Sequence, residues 1–208
     1  MKLLVLGATG GIGLEIVKQG IERGHTITAL VRRTEPLKVF GDRIAITQGD
    51  LLNESHLESA AVGQDAVLSS FGPREPRSQE DAYLQRRLAE ALTTAMTKAK
   101  VKRVIVVSVA FLFKDAMLPP AYLFGRIFFG QVVKDAAAME AVLQQSGLDW
   151  TIVRPPRLTD GPRTGKYRIR EEHLPRFGFK ISRADVAEFM LKTVEDGTYI
   201  GKIVGVCD

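Results

Sequence analysis

The chain is 208 residues long, with 45% hydrophobic and 25% charged residues, the proportions of a globular protein rather than a disordered, fibrous or membrane one. That length suits a single domain spanning 1–208 with a well-formed core, and speaks against two full-sized independent domains. Lys and Arg total 29 against 24 Asp and Glu, a net charge of +5, which admits nucleic acid, an acidic membrane surface or a small phosphorylated or carboxylated ligand.

The single Cys207 has no intramolecular partner for a disulfide, and no Cys/His cluster has zinc spacing, so no metal site is expected and a reducing cytoplasm fits. The apolar run in MKLLVLG is too short for a signal segment, and no stretch of about 20 apolar residues offers a membrane span. The most apolar region, 116–133, is broken by Pro119, Pro120 and Arg126.

In chain order, Lys2 to Leu6 reads as a strand buried on both faces. Gly10 to Arg23 follows as a helix, with Ile12, Ile16, Val17 and Ile21 at helical spacing and Gly24 as its stop. Thr26 to Val31 and Ile44 to Thr47 are the next strands, and Asn53 caps a short helix through Ala61. Ala66 to Ser70 is a fourth strand, and a long helix is expected from about Gln79 to Lys100. Arg103 to Val109 is β-branched and makes the fifth strand; a helix over 121–145 and a strand over Trp150 to Val153 follow.

This alternation implies right-handed βαβ units: an α/β, Rossmann-like, doubly wound parallel sheet flanked by helices. The rhythm breaks after Pro156, where about 157–181 reads as a small irregular C-terminal substrate lobe of loop and short hairpin. Ser182 then caps a helix to Val194, and Lys202 to Val206 is the last strand.

The strongest chemical signal is Gly7-Ala8-Thr9-Gly10-Gly11-Ile12-Gly13 between the first strand and helix. Glycines permit the tight turn, close backbone approach to a pyrophosphate and close helix–strand packing, while the helix N-terminus offers unpaired N–H groups to the phosphates. Dinucleotide-binding strands commonly place an acid on the ribose about 20 residues later. Here the second strand ends in Arg32 and Arg33, whose guanidinium groups suit a 2′-phosphate; the expected cofactor is therefore NADP(H), although Glu35 nearby offers a ribose partner.

The spacing of Gly7, Gly10 and Gly13 resembles that of the atypical and extended short-chain dehydrogenase/reductase families. Asp50-Leu51 resembles their adenine-bracketing pair, and Ser70-Phe71-Gly72 their backbone approach to the cofactor. Residues 146–155 are similar to a signature of the NAD(P)H-binding, NmrA-like branch, and residues 181–187 to the start of its late helix. The whole chain looks most like the small NADPH-dependent biliverdin-IXβ/flavin reductases, through Phe71-Gly72-Pro73-Arg74, Ala110-Phe111-Leu112 and Arg154-Pro155-Pro156-Arg157. The resemblance implies that Phe71, Gly72 and Arg74 run along the cofactor, that Pro155 and Pro156 flank the nicotinamide, and that the 111–130 region walls the substrate pocket.

The departures carry weight too. The extended families use a Tyr-x-x-x-Lys pair, and the matching positions are Val132 and Ala136; the helper serine falls at Val109 with Ser108 beside it, and the reductases' histidine after the two prolines is Arg157. A conjugated acceptor takes hydride with little acid catalysis, so loss of the pair is tolerable. The catalytic candidates are Ser108, as hydrogen-bonding partner to nicotinamide or substrate or as a mere backbone satisfier, and Arg157, as an acceptor-orienting cation or in a salt bridge to Asp160 or Glu140. His25, His56 and His173 lie near element ends or loops and are not expected as general bases. Phe111, Phe113, Phe124, Phe128 and Phe129 offer either an aromatic slot or a core or dimer face.

The expected function is an NADPH-dependent oxidoreductase transferring hydride to a small planar acceptor, anionic or neutral, such as a flavin, a biliverdin-like tetrapyrrole or a quinone, in a monomer or homodimer. The alternative is a non-catalytic NADP(H)-binding redox sensor or scaffold of NmrA-like type. Nucleic-acid binding rests on charge alone and lacks a recognition motif.

Overall fold

A computed structural model describes residues 1–72, 83–113 and 130–208. Its centre is an eight-stranded sheet in the order β3-β2-β1-β4-β5-β6-β10-β8. Strand β1 (Lys2–Leu6) runs parallel to β2 (Thr26–Val31) on one side and to β4 (Ala66–Ser69) on the other. Strand β3 (Ile44–Gln48) extends the first side; β5 (Arg103–Val107), β6 (Asp149–Arg154) and β10 (Lys202–Cys207) extend the second, all parallel.

Each face of this sheet is covered by helices, because its central strands carry buried apolar side chains on both sides. In β1, Leu4 and Leu6 enter one core while Leu3 and Val5 enter the other, and all four are fully buried. The first core holds α2 (Glu54–Ala61), α3 (Leu84–Lys98) and α4 (Gly130–Gln145) through Leu57, Leu88, Leu92, Met139 and Leu143. The second holds α1 (Gly11–Glu22) and α5 (Arg183–Glu195) through Ile16, Val17, Phe189 and Met190.

The helix caps show how side chains fix these elements. Asn53 Oδ1 accepts from Ser55 N and His56 N, as its position predicted. Helix α3 starts at Leu84 after Tyr83 turns left-handed (φ 63°). Its first N–H groups, those of Gln85 and Arg86, donate to the buried Asp135 of α4, each at 3.0 Å. That α3 stops at Lys98 rather than Lys100 follows from the left-handed Lys100 (φ 58°).

Strand β5 ends at Val107, two residues before the expected Val109, because Ala110–Leu112 closes a 3₁₀ turn. The expected helix over 121–145 is described from Gly130 onward; Arg74 and Phe124, Phe128 and Phe129 lie outside the described residues.

The lobe corrects the reading of its hairpin. Strand β7 (Arg157–Thr159) pairs in parallel with β9 (Lys180–Ser182), forming a separate two-stranded sheet. Strand β8 (Arg168–Glu171) instead pairs antiparallel with β10, whose far edge would otherwise expose unpaired backbone groups. The segment between β8 and β9 is packed tightly beneath its exposed aromatics: a Cβ on Gly178 would lie 2.3 Å from Cys207 Sγ.

Candidate functional site

The strand order reverses between β1 and β4, and it is there, at the carboxyl ends, that an open α/β sheet forms its ligand crevice. The two strand ends are locked together, since Ser70 N donates to the Leu6 carbonyl at 3.0 Å. Gly7 turns the chain with φ +78°, and a Cβ there would stand 2.9 Å from Phe71 N. A Cβ on Gly13 would stand 2.1 Å from the Gly7 carbonyl oxygen, so the helix packs against the turn only as glycine. The N-cap of α1 is Gly10, which carries no side chain, and no acid sits in the helix's first turn. This cradle fits a pyrophosphate: close backbone, glycines along the approach, and the positive end of a helix.

The expected site residues fall around it as follows. Arg32 and Arg33 are exposed at the end of β2, and the Arg32 carbonyl accepts from Gln48 Nε2 at 3.3 Å. Asp50 is exposed after β3, its carboxylate taken by Leu52 N at 3.1 Å, whereas the Leu51 side chain is packed into the core. Phe71 is partly buried against the same core and Gly72 is exposed. Thr9 and Ile12 belong to the turn and the first residues of α1, Ile12 being buried. Pro155 is buried at the end of β6 and Pro156 is half-buried.

The ends of β5 and β6 are built differently. Ser108 N donates to the Val153 carbonyl at 2.7 Å and Ala110 N to the Pro155 carbonyl at 3.2 Å. The Ser108 hydroxyl donates to Glu140 Oε1 at 2.5 Å. Arg154 completes the cluster, with Nε 2.9 Å from Glu140 Oε1 and Nη2 2.5 Å from Oε2. Its guanidinium also stacks over Phe113, 4.5 Å from the ring centroid. Ser108, Glu140 and Arg154 are exposed by only 5%, 3% and 9%.

Two sequence readings change here. The serine does more than satisfy backbone, because its hydroxyl is committed to a carboxylate. Arg154, although a cation, is buried with its charge neutralised by Glu140. Nor does Arg157 use the acids weighed for it: Glu140 is taken by Arg154, and Asp160 by Arg183 at 2.5 Å. Arg157 stands exposed on β7, in register with Lys180. His25 is held by Glu195 at 2.6 Å, and His56 Nδ1 lies 3.1 Å from Asp50 N, far from acid–base work in both cases.

Sequence reasoning weighed Glu140 only as a partner for Arg157 and Phe113 only as one of several slot or core aromatics, and gave Arg183 no role here. Arg183 opens α5 and lies across the glycine turn: a Cβ on Gly11 would meet its Cδ at 2.4 Å and its Nε at 2.8 Å. The residue two positions on, Asp185, is fully buried and ties the lobe to this helix. Its carboxylate accepts from Thr164 N and Gly165 N at 2.7 and 2.9 Å, and from the hydroxyls of Thr164 and Ser182, both at 2.9 Å. The Ser-Arg-Ala-Asp run after β9 was a signal for all three roles, legible only once Gly11 and Thr164 were in place beside it. Burial also raises two groups at the lobe's base, pushing the Tyr167 phenol up to about 12 and the Cys207 thiol above its ordinary value. Among the described residues no group of His, Cys, Asp and Glu is arranged to hold a metal, and no helix is long and apolar enough to cross a membrane.

Comparison with known proteins agrees with this geometry. An uncharacterised chloroplastic protein of Arabidopsis thaliana is 32% identical over 202 residues, covering 93% of this chain and 71% of its own. ChuY, an anaerobillin reductase from Escherichia coli O157:H7, superposes with a TM-score of 0.81 at 22% identity, over 100% of this chain and 97% of its own. A wide-type short-chain dehydrogenase/reductase from Veillonella parvula, crystallised in complex with NADP, superposes with a TM-score of 0.80 at 20% identity, over 100% of this chain and 94% of its own. At such identities the two structures speak for the Rossmann fold alone. The sequence family described as NAD(P)H-binding matches residues 7–197. The chain belongs to that NAD(P)H-binding family.

Proposed function

We propose that this chain, acting as one domain, is an NADPH-dependent reductase that delivers hydride to a planar conjugated acceptor: a flavin, a linear tetrapyrrole or a quinone. The observation that carries the reading is the contrast within one site. The dinucleotide cradle is whole, while the positions of a Tyr-x-x-x-Lys pair hold Val132 and Ala136 and the nearby Ser108 spends its proton on Glu140. Such a site positions reactants and, among the described residues, presents no Tyr-x-x-x-Lys acid, which suits an acceptor that takes its proton from solvent. That ChuY reduces an anaerobillin, on the same fold, supports this acceptor class.

In this reading NADPH supplies the hydride, and the protein holds it. The N–H groups of Gly11, Ile12 and Gly13, with Thr9 and Gly10 in the turn, face the pyrophosphate. Arg32 and Arg33 read the 2′-phosphate, which their open exposure at the end of β2 allows. Asp50 and the backbone of Leu51 border the adenine; Phe71 and Gly72 follow the ribose and phosphates; Pro155 and Pro156 back the nicotinamide. Ser108 then acts as a hydrogen-bond acceptor toward it, because its own proton points inward at Glu140. Arg157 orients an anionic group of the acceptor. The cytoplasm is the compartment this chemistry suits.

A second reading, a non-catalytic NADP(H)-binding sensor or scaffold, is favoured by the closed Ser108–Glu140–Arg154 network, which offers no proton donor. NADPH oxidation followed with riboflavin phosphate, biliverdin and menadione separates the two. Turnover of any one supports the reductase; NADPH-saturated, folded protein that oxidises with none leaves the sensor. Calorimetry tests the cofactor: replacing Arg32 and Arg33 by Ser weakens NADPH binding by about 10- to 100-fold and leaves NADH within about threefold. Equal loss for both cofactors overturns the 2′-phosphate assignment.

A further inference from the structure

Two of the four glycines in the turn are required by backbone: Gly7 is left-handed, and a Cβ on Gly13 would lie 2.1 Å from the Gly7 carbonyl oxygen. A Cβ on Gly10 would be tight against the same oxygen, at 3.2 Å. Gly11 is different, for its backbone is ordinary and the three nearest atoms a Cβ would meet all belong to the side chain of Arg183. The missing side chain at Gly11 therefore makes room for Arg183 to lie across the first turn of α1.

The placement is built rather than incidental. Ser182 caps α5 by accepting from Asp185 N at 2.9 Å, and Gln19 Nε2 of α1 donates to the Ala184 carbonyl at 2.9 Å. These bonds fix the Arg183 backbone against α1. The guanidinium thus stands at the positive end of a helix dipole, an unfavourable place for a cation unless an anion shares it. The anion it meets in the protein is Asp160, Oδ1 2.5 Å from Nη1, whose side chain is 90% exposed and so holds the arginine weakly. Asp160 follows β7 in the lobe.

We infer that Arg183 is a ligand of the dinucleotide's pyrophosphate, that Asp160 is a stand-in it gives up on binding, and that the exchange couples cofactor occupancy to the lobe. The inference rests on the family's NAD(P)H binding and not on the reductase reading. A guanidinium and a pyrophosphate form charge-assisted, bidentate hydrogen bonds, stronger than a bridge to one exposed carboxylate. Arg183 and Asp160 therefore influence affinity in opposite directions, which a purely structural salt bridge does not.

Calorimetric titration of the full chain with NADPH, ADP and adenosine 2′-monophosphate tests this. Arg183→Gln weakens NADPH and ADP by about 10- to 100-fold, and Gly11→Ala does the same by displacing the arginine. Asp160→Asn tightens both by about threefold or more, the release of a competing surface ion pair. Adenosine 2′-monophosphate, which has no pyrophosphate, binds all variants alike. Should Arg183→Gln fail to fold, Asp160→Asn and Gly11→Ala still carry the test, since one lies on the surface and the other adds a methyl group to a helix. Unchanged NADPH affinity in the variants, equal loss for adenosine 2′-monophosphate, or weakening by Asp160→Asn overturns the inference while leaving family binding intact. A wild-type chain that binds neither NADPH nor ADP overturns the binding reading itself.

Discussion

The two ends of the crevice are made of different materials. Between β1 and α1 the site is mostly backbone: glycines packed against neighbouring main chain, a helix end with Gly10 as its N-cap and Arg183 lying across it, and two exposed arginines just past β2. Between β5 and β6 it is side chain: a buried carboxylate that holds a serine on one oxygen and an arginine on both, with a phenylalanine stacked beneath. The first end is open and suits a group common to every dinucleotide. The second is closed, so it shapes what stands beside the cofactor without offering a proton of its own.

The largest effect is expected at the closed end. Glu140→Leu leaves Arg154 buried without a counter-charge and is expected to cost about 3–5 kcal/mol, measured by urea unfolding. The double variant Glu140→Leu, Arg154→Met recovers most of that loss, since a well-packed apolar pair replaces a desolvated ionic one. A single variant that costs under about 1 kcal/mol would mean that water reaches the cluster.

At the open end, Gly13→Ala forces a Cβ to within 2.1 Å of the Gly7 oxygen, and the turn must move. The expected cost is about 1–3 kcal/mol, smaller than at the ion pair because the surface turn relaxes. Dinucleotide affinity falls by more than about tenfold in the same variant, although the Ser108 cluster is untouched. Retained affinity would show that the turn's backbone is not what holds the phosphates.

The smallest effect sharpens the contrast from the lobe. Burial raises the Tyr167 phenol from 10.0 to about 12, where its ring meets Phe189 edge-on at 6.0 Å. The folded state thus favours the protonated phenol. Its contribution is fully present below the unfolded pKa of about 10 and is lost as pH rises through about 12. Tyr167→Phe removes that alkaline loss, so the stability difference between variant and wild type stays flat near neutral pH and shifts toward the variant above about pH 10. A difference independent of pH up to about 12 would place the phenol in water.

The open end was legible along the chain because its causes are local. An apolar run, a glycine turn and a 3.6-residue period lie within one stretch, so β1, the turn and α1 follow from neighbours in sequence. The same holds for Asn53 and Ser182, whose side chains accept from N–H groups two or three residues on. The closed end was not, because Ser108, Glu140 and Arg154 sit on three elements and look like ordinary surface residues until the sheet stacks them. The lobe shows the same limit: its strands were expected to pair as a hairpin, but β8 finds the free edge of β10 and β7 finds β9.

By itself, then, the sequence determined the doubly wound parallel sheet, the position of the glycine turn and the basic pair that follows the second strand. Periodicity, caps and glycine stereochemistry act over a few residues and need no partner. Only the tertiary structure decided which charges are spent and which are free: Arg154 on Glu140, Arg183 across Gly11 on Asp160, Arg157 on neither acid. Electrostatic pairing depends on distance in space and on burial, and neither is fixed until the chain has packed.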